Sequence, residues 1–170
     1  MKKIQAKAKK IKMLIMDVDG TLTDGKIYIG PQGEVFKAFN TKDGLGIKLL
    51  IDKGIIPVII TGRNSEIVVA RAEELGIDEI HQGIEDKLDL YQHLVEKYKL
   101  NDEEVAFIGD DLNDLPLLNK VGLSFCVADA VEAVREKVDY VARLKGGEGA
   151  VREAIDVILG WSTTPAKAGN

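Results

Sequence analysis

The sequence predicts an α/β fold. We expect a Rossmann-like three-layer α/β/α arrangement around a mainly parallel sheet, with one small β-hairpin inserted near its start. Three observations predict it. Short apolar runs rich in β-branched residues alternate along the chain with segments of helical periodicity. That alternation is the signature of a parallel sheet covered on both faces. Several of the apolar runs also end abruptly in polar residues, at the sheet edge where α/β folds bind ligands. The 170 residues form one expected domain, 1–170, with no linker, repeat or low-complexity segment.

Residues 12–17 make the first strand, whose apolar core Met13 to Met16 runs straight into Asp17-Val18-Asp19-Gly20-Thr21. Residues 24–39 alternate polar and apolar on either side of Gly30-Pro31-Gln32-Gly33, a hairpin signal. An isolated hairpin is marginal in water, so its apolar face needs a partner surface. Asp43 is the expected N-cap of a helix through Lys53, ended by Gly54, with Gly44 and Gly46 weakening its first turn. Ile55 to Ile60 is a strand that ends in Thr61-Gly62-Arg63. Asn64 or Ser65 caps a helix through Leu75, closed by Gly76.

Glu79-Ile80-His81 is a short strand. Leu88, Tyr91, Leu94, Val95 and Tyr98 recur at helical spacing within a helix over 85–98. Glu104 to Ile108 is a strand that ends in Gly109-Asp110-Asp111-Leu112-Asn113-Asp114. A short helix near 113–119, a strand at 123–127, a helix near 130–136, a strand at 138–142 and a helix at 149–159 complete the core. Residues 162–170 are expected to form a mobile polar tail.

Composition excludes several classes of function. Apolar residues are 45% and charged residues 30%, as in ordinary globular proteins. The net charge of −5 gives no reason to expect nucleic acid as a partner, and the basic run from Lys2 to Lys12 is expected to be a solvated lead-in. No apolar run approaches the roughly 18 residues of a membrane span, and no signal peptide is recognisable, so the expected compartment is the cytoplasm. The single cysteine, Cys126, lies in an apolar run and is expected to pack as a small hydrophobe. His81 and His93 are neither paired nor near a cysteine, which argues against a histidine metal site.

Four strand ends or adjoining loops carry the chemistry: Asp17/Asp19, Thr61/Gly62/Arg63, the Lys87 region and Asp110/Asp111/Asp114. In a parallel sheet these ends share one edge, so Asp17, Asp19 and Asp110 can converge across about 90 residues of sequence. Converging carboxylates repel one another unless a cation sits between them. Oxygen donors without His or Cys select a hard divalent ion, Mg²⁺. The Thr61 hydroxyl, the Gly62 amide and the Lys87 ammonium suit the oxygens of a phosphoryl group. Asp17 then serves as nucleophile, forming an aspartyl-phosphate, and Asp19 as general acid and base. Asp19 can serve the metal through its backbone as well as its side chain. Each element alone has a bland reading: an Asp-x-Asp or a Thr can cap a helix, and a helix lysine is ordinarily on the surface.

Together, Asp17-Val18-Asp19-Gly20-Thr21, Thr61, Lys87 and Gly109-Asp110-Asp111-Leu112-Asn113-Asp114 resemble, in order and spacing, the four motifs of the haloacid dehalogenase superfamily of phosphohydrolases. The resemblance covers residues 12 to about 145. Asn40-Thr41-Lys42-Asp43-Gly44, Thr61-Gly62-Arg63 and Gly146 to Glu153 narrow it to 3-deoxy-D-manno-octulosonate 8-phosphate phosphatases. That resemblance implies an Mg²⁺-dependent phosphatase acting on an acidic eight-carbon sugar phosphate, on the path to the lipopolysaccharide core. It implies a hairpin in place of a cap domain, and a homotetramer in which each hairpin helps close a neighbour's site.

It further implies that Arg63, Arg71 and Lys42 meet the sugar acid. Asp111 and Asp114 would support the metal shell, with Asp114 orienting Lys87 or that shell. Arg71 could equally be a solvated helix residue beside Glu73 and Glu74. A nine-carbon sugar acid phosphate is the alternative substrate, although relatives acting on one tend to carry Glu at the place of Arg63. A non-catalytic regulatory domain and a phosphomutase fit less well. Every catalytic position is filled, and no large cap is present to exclude water.

Overall fold

The computed structural model describes residues 2–161; the expected tail at 162–170 lies outside the described residues. Six strands form one sheet: β1 (Met13–Met16), β4 (Ile56–Ile60), β5 (Glu79–His81), β6 (Val105–Gly109), β7 (Leu123–Cys126) and β8 (Tyr140–Val141). Their order is β5-β4-β1-β6-β7-β8, and every pairing is parallel. In the chain between β1 and β4 comes β2 (Tyr28–Gly30), which pairs antiparallel with β3 (Gly33–Phe36) as the predicted hairpin.

The chain winds outward from β1 through β4 to β5, then returns to β6 and winds the other way. β1 and β6 are therefore the neighbours at which the winding reverses. Such a switch point opens a crevice at the carboxyl ends of the strands. The four residues of β1 have no solvent exposure. Burial of each is worth about 1.5–3 kcal/mol, which anchors the loop that follows. Register sets the rest. Met16 lies opposite Ile59 on one side and Ile108 on the other. Asp17 is therefore level with Ile60 and Gly109, and Thr61 and Asp110 stand one residue further out on the flanking strands.

Helices cover both faces. α2 (Thr41–Asp52) packs on α3 (Glu66–Leu75) and α7 (Ala150–Ile158). α4 (Lys87–Tyr98) packs on α5 (Leu115–Leu118) on the other face, and α6 (Glu132–Arg135) links β7 to β8. The predicted short helix near 113–119 divides into a tight turn at Leu112–Asp114 and α5. Cys126 is buried and free, as its apolar setting implied.

Two sequence expectations need correction. The basic segment is no mere lead-in: α1 (Lys2–Ala8) packs on α7 and β7. Ala8 and Ile11 are buried, and the Lys7 ammonium bonds Asp139 at 2.6 Å. The lysines hid an apolar stripe too short to register as periodicity.

Asp43 is also not the cap of α2. Asn40 takes that place, accepting the Lys42 N–H at 2.9 Å. Asp43 is buried in the first turn and accepts the Arg152 N–H at 2.7 Å, at the start of α7. Gly46 makes this approach possible, and Gly44 makes room for α3 in the same way. A Cβ at Gly44 would stand 2.4 Å from the Arg71 guanidinium, and one at Gly46 would stand 2.9 Å from Arg152 Cδ.

Burial pushes the Asp43 carboxyl up to about 6, against the N–H groups at the start of α7 that favour its charge. The folded state thus holds this proton more tightly than the unfolded chain does. Its contribution to stability falls as pH rises from about 4 to about 6, and above that the loss is complete. Asp43→Asn should therefore gain thermal stability relative to the parent by several degrees more at about pH 7.5 than at about pH 4. Thermal melts at the two pH values check this, and a pH-independent difference would contradict it.

Candidate active site

The loop after β1 turns sharply at Gly20, whose φ of +95° lies in the left-handed region. A side chain there is also sterically barred, because a Cβ would stand 2.1 Å from Asp110 Oδ2. Thr21 is fully buried, and its hydroxyl donates to Asp110 Oδ1 at 3.2 Å. Gly146 and Gly147 pack against the same loop, backbone on backbone. The Gly147 N–H donates to Thr21 O at 3.1 Å, and a Cβ at Gly146 would meet Gly20 O at 1.8 Å. Gly20 and Gly146 thus let three chain segments meet where β1 and β6 end.

Lys87 is the first residue of α4, behind the cap Asp86, which accepts the N–H groups of Leu88 and Asp89. Its ammonium donates to Asp17 Oδ1, and to Asp114 Oδ1 at 2.6 Å. Asp114 Oδ2 accepts the Asp110 N–H at 2.9 Å and the Asp111 N–H at 3.3 Å. Asp111 caps the turn that carries Asp114, accepting the Leu112 N–H at 2.6 Å. Oxygens of Asp17, Asp110 and Asp114 all lie within 4.8 Å of one another. Three carboxylates beside one ammonium leave two uncompensated negative charges if all are ionised.

Electrostatics registers that imbalance. Burial pushes the Asp17 carboxyl up to about 8, despite the attraction of Lys87. Burial, then the Asp114 charge, push Asp110 up to about 7. Burial alone would lower Lys87, but the charges of Asp17 and Asp114 outweigh it and hold the ammonium above its ordinary value. A buried, all-oxygen donor set short of positive charge fits a hard divalent cation.

The Asp19 carboxylate points elsewhere. Among the described residues it does not join the cluster of Asp17, Asp110 and Asp114, and it receives the Lys37 ammonium from the hairpin side. Arg63 Nε stands 3.8 Å from Asp19 Oδ2. Lys37 also faces Glu34 at 3.0 Å, and Glu34 accepts the Ser65 hydroxyl. Burial would lower Lys37, but its bonds to Asp19 and Glu34 raise it above its ordinary value.

Thr61 is buried at the end of β4, and its oxygens tie down the next loop. Its hydroxyl accepts the Arg63 N–H at 3.4 Å and its carbonyl the Ile84 N–H at 3.1 Å. Gly62 carries the exposed backbone between them. The Arg63 side chain is 44% exposed. The Arg71 guanidinium lies over the Phe39 ring and bonds Glu74 at 2.7 Å, so the structure gives it partners on α3 and the post-hairpin segment. Lys42 lines a separate cleft with Arg143, Arg152 and Glu153.

Sequence reasoning missed Lys37, Glu34, Ser65 and Thr21. For Lys87 a signal existed. It falls on the buried stripe of α4, four residues before Tyr91 and seven before Leu94, where a lysine has no reason to be unless it meets an acid. For Lys37 the local pattern gave only Glu34 three residues before it, an ordinary hairpin pair, while Asp19 comes from the loop after β1.

Comparison with known proteins places this arrangement. A family profile described as haloacid dehalogenase-like hydrolase matches residues 73–155. The 3-deoxy-D-manno-octulosonate 8-phosphate phosphatase of Escherichia coli K12 is 49% identical over 154 residues, spanning 91% of this chain and 82% of that protein. The crystal structure of the Yersinia pestis enzyme of the same name is 48% identical, with a TM-score of 0.91 over 94% of this chain and 86% of that one. A Moraxella catarrhalis phosphatase of this name, solved with a magnesium ion, a phosphate ion and a KDO molecule, is 44% identical. Its TM-score is 0.92, over 95% of this chain and 93% of that one.

Proposed function

This chain belongs to the haloacid dehalogenase-like hydrolases, and from that premise we propose that it hydrolyses 3-deoxy-D-manno-octulosonate 8-phosphate to the free sugar acid and inorganic phosphate. Its place would be lipopolysaccharide core synthesis, in the cytoplasm. The observation that carries this reading is the meeting of Asp17, Asp110, Asp114 and Lys87 at the β1/β6 switch point, in a chain 49% identical to a phosphatase of that name.

Asp17 is the nucleophile. One of its oxygens forms a bond to phosphorus as the bond from phosphorus to the sugar oxygen breaks. Asp19 gives a proton to the departing alkoxide, then takes one from the water that releases phosphate from Asp17. Lys87 holds Asp17 in place and offsets its charge as the phosphate approaches. The Thr61 hydroxyl and Gly62 amide bind phosphate oxygens.

Asp17 and Asp110 would hold Mg²⁺, with Asp19 contributing through its main chain, since its carboxylate is turned away. Asp114 orients Lys87, and Asp111 holds the turn that carries Asp114. The ion, when bound, supplies charge neutralisation for the phosphoryl group. Arg63, at the mouth beside Asp19, is the leading candidate for the sugar carboxylate, which its forked guanidinium suits. Arg71 and Lys42 are proposed for the same substrate, although here Arg71 contacts Glu74 and Phe39 and Lys42 lines a separate cleft.

Phosphate release tests the substrate. We expect the eight-carbon sugar acid phosphate to be preferred by about tenfold or more over a nine-carbon one, both with Mg²⁺. Equal or reversed preference would overturn the assignment.

The assembly is proposed to be a homotetramer with sites at subunit interfaces, and neither nucleic acid nor membrane is a partner. The hairpin supports this. Ile27, Ile29, Val35 and Phe36 are all exposed on it, Ile29 by 74%, an apolar patch on so small an element. Ile29→Glu with Val35→Glu should disperse the assembly on size exclusion and lower turnover with it. An intact, fully active oligomer would refute the shared site.

A further inference from the structure

We propose that Lys37 is a positioning residue that holds the Asp19 carboxylate toward the departing sugar oxygen and away from the acid cluster. The proposal rests on the reading of Asp19 as general acid. Lysine is among the residues least often fully buried, yet the Lys37 side chain is 1% exposed. Its ammonium meets two acids, Asp19 and Glu34. Glu34 is itself fixed, accepting the Ser65 hydroxyl and facing the Arg63 guanidinium at 3.7 Å. One line of contacts therefore runs from the loop after β1, across the base of the hairpin, to the loop after Thr61. The hairpin does more than cover the mouth of the site, since its inner end grips one of the two aspartates.

The need for a grip follows from the local geometry. Asp17 and Asp19 are two residues apart and have opposite tasks. Asp17 must stay in the cluster beside Lys87. Asp19 must keep out of it, although an unrestrained carboxylate two residues from Asp17 would be drawn inward once a cation is bound there. Lys37 offers it a competing cation on the outer side. Lysine also has the reach: it follows β3 directly, and its stem crosses from the hairpin to the loop while staying buried.

A merely structural lysine, holding the hairpin down, would produce the same contacts, so the test must separate the two. The readout is kcat/KM, which covers steps up to departure of the leaving group, measured on two substrates. The sugar acid phosphate needs a proton for its leaving alkoxide; p-nitrophenyl phosphate does not. Lys37→Met keeps length and loses charge. It should lower kcat/KM on the sugar phosphate by about 10–100-fold and on the aryl ester by less than about threefold. Lys37→Arg should restore most of the loss. Lys37→Gln is the second neutral variant, and thermal melts report whether each variant folds.

Equal losses on the two substrates, or an undiminished rate on the sugar phosphate, would overturn the proposal. Asp19→Asn run alongside separates the two levels. Should it discriminate between the leaving groups where Lys37→Met does not, the Lys37 role fails alone. Should it fail to discriminate, the general-acid reading fails and takes this role with it.

Discussion

Asp17→Asn should abolish turnover, by roughly 10³-fold or more, while leaving the protein at least as stable as the parent. The first half follows from its proposed role as nucleophile, since an amide oxygen does not attack phosphorus to form a hydrolysable intermediate. The second half is less usual and comes from the structure. Asp17 is buried beside two other acids, and burial pushes its carboxyl up to about 8. Without metal the fold works against its ionisation, so that near neutral pH it holds a proton and an uncharged amide can take its place. Its ammonium partner does not lose all compensation, because Lys87 keeps Asp114 at 2.6 Å. Removing one carboxylate thus relieves repulsion without orphaning the lysine. Phosphate-release assays and thermal melts at one pH read both halves. Normal turnover would refute the nucleophile assignment, and a large fall in melting temperature would refute the account of the site as strained. A trade of stability for activity is what such a cluster entails.

Removal of divalent metal should abolish activity, and added Mg²⁺ should restore it. Binding should also be visible without turnover. An ion at a hundred times its dissociation constant stabilises the fold by about 2.7 kcal/mol, several degrees in a chain of this size. The pH dependence has a definite sign. Asp17 and Asp110 are raised to about 8 and about 7, so both hold protons near neutrality in the metal-free protein. Metal must displace those protons. The apparent affinity for Mg²⁺ should therefore weaken as pH falls from about 8 to about 6, and the Mg²⁺-induced rise in melting temperature should shrink with it. Activity that persists in excess chelator, or a thermal shift independent of pH, would count against the carboxylate site.

Most of this site was legible in the chain because its key residues sit at strand ends. Apolar runs that stop in Asp17, Thr61 and Asp110 announce both a parallel sheet and the edge at which its polar residues collect. The helix of Lys87 was legible from its apolar spacing. Legibility failed where a side chain acts across elements. Asp43 looked like a local cap because caps are ordinarily local, yet it receives an N–H from the start of α7, 109 positions away. Asn40 was available to cap α2 in its place. Lys37 gave no sign of itself, since a lysine after a hairpin strand is unremarkable until Asp19 and Glu34 are found on either side of it.

The sequence by itself determined which residues end the strands, the order in which the motifs arrive, and the oxygen-only character of the donors. These depend on period, composition and adjacency, all of which are properties of the chain. Only the tertiary structure decided how the acids divide. It set Asp17, Asp110 and Asp114 around one point and turned Asp19 to Lys37. That choice depends on register between β1 and β6 and on where the hairpin lands. Distances between groups far apart in sequence arise from packing, and no local pattern encodes them.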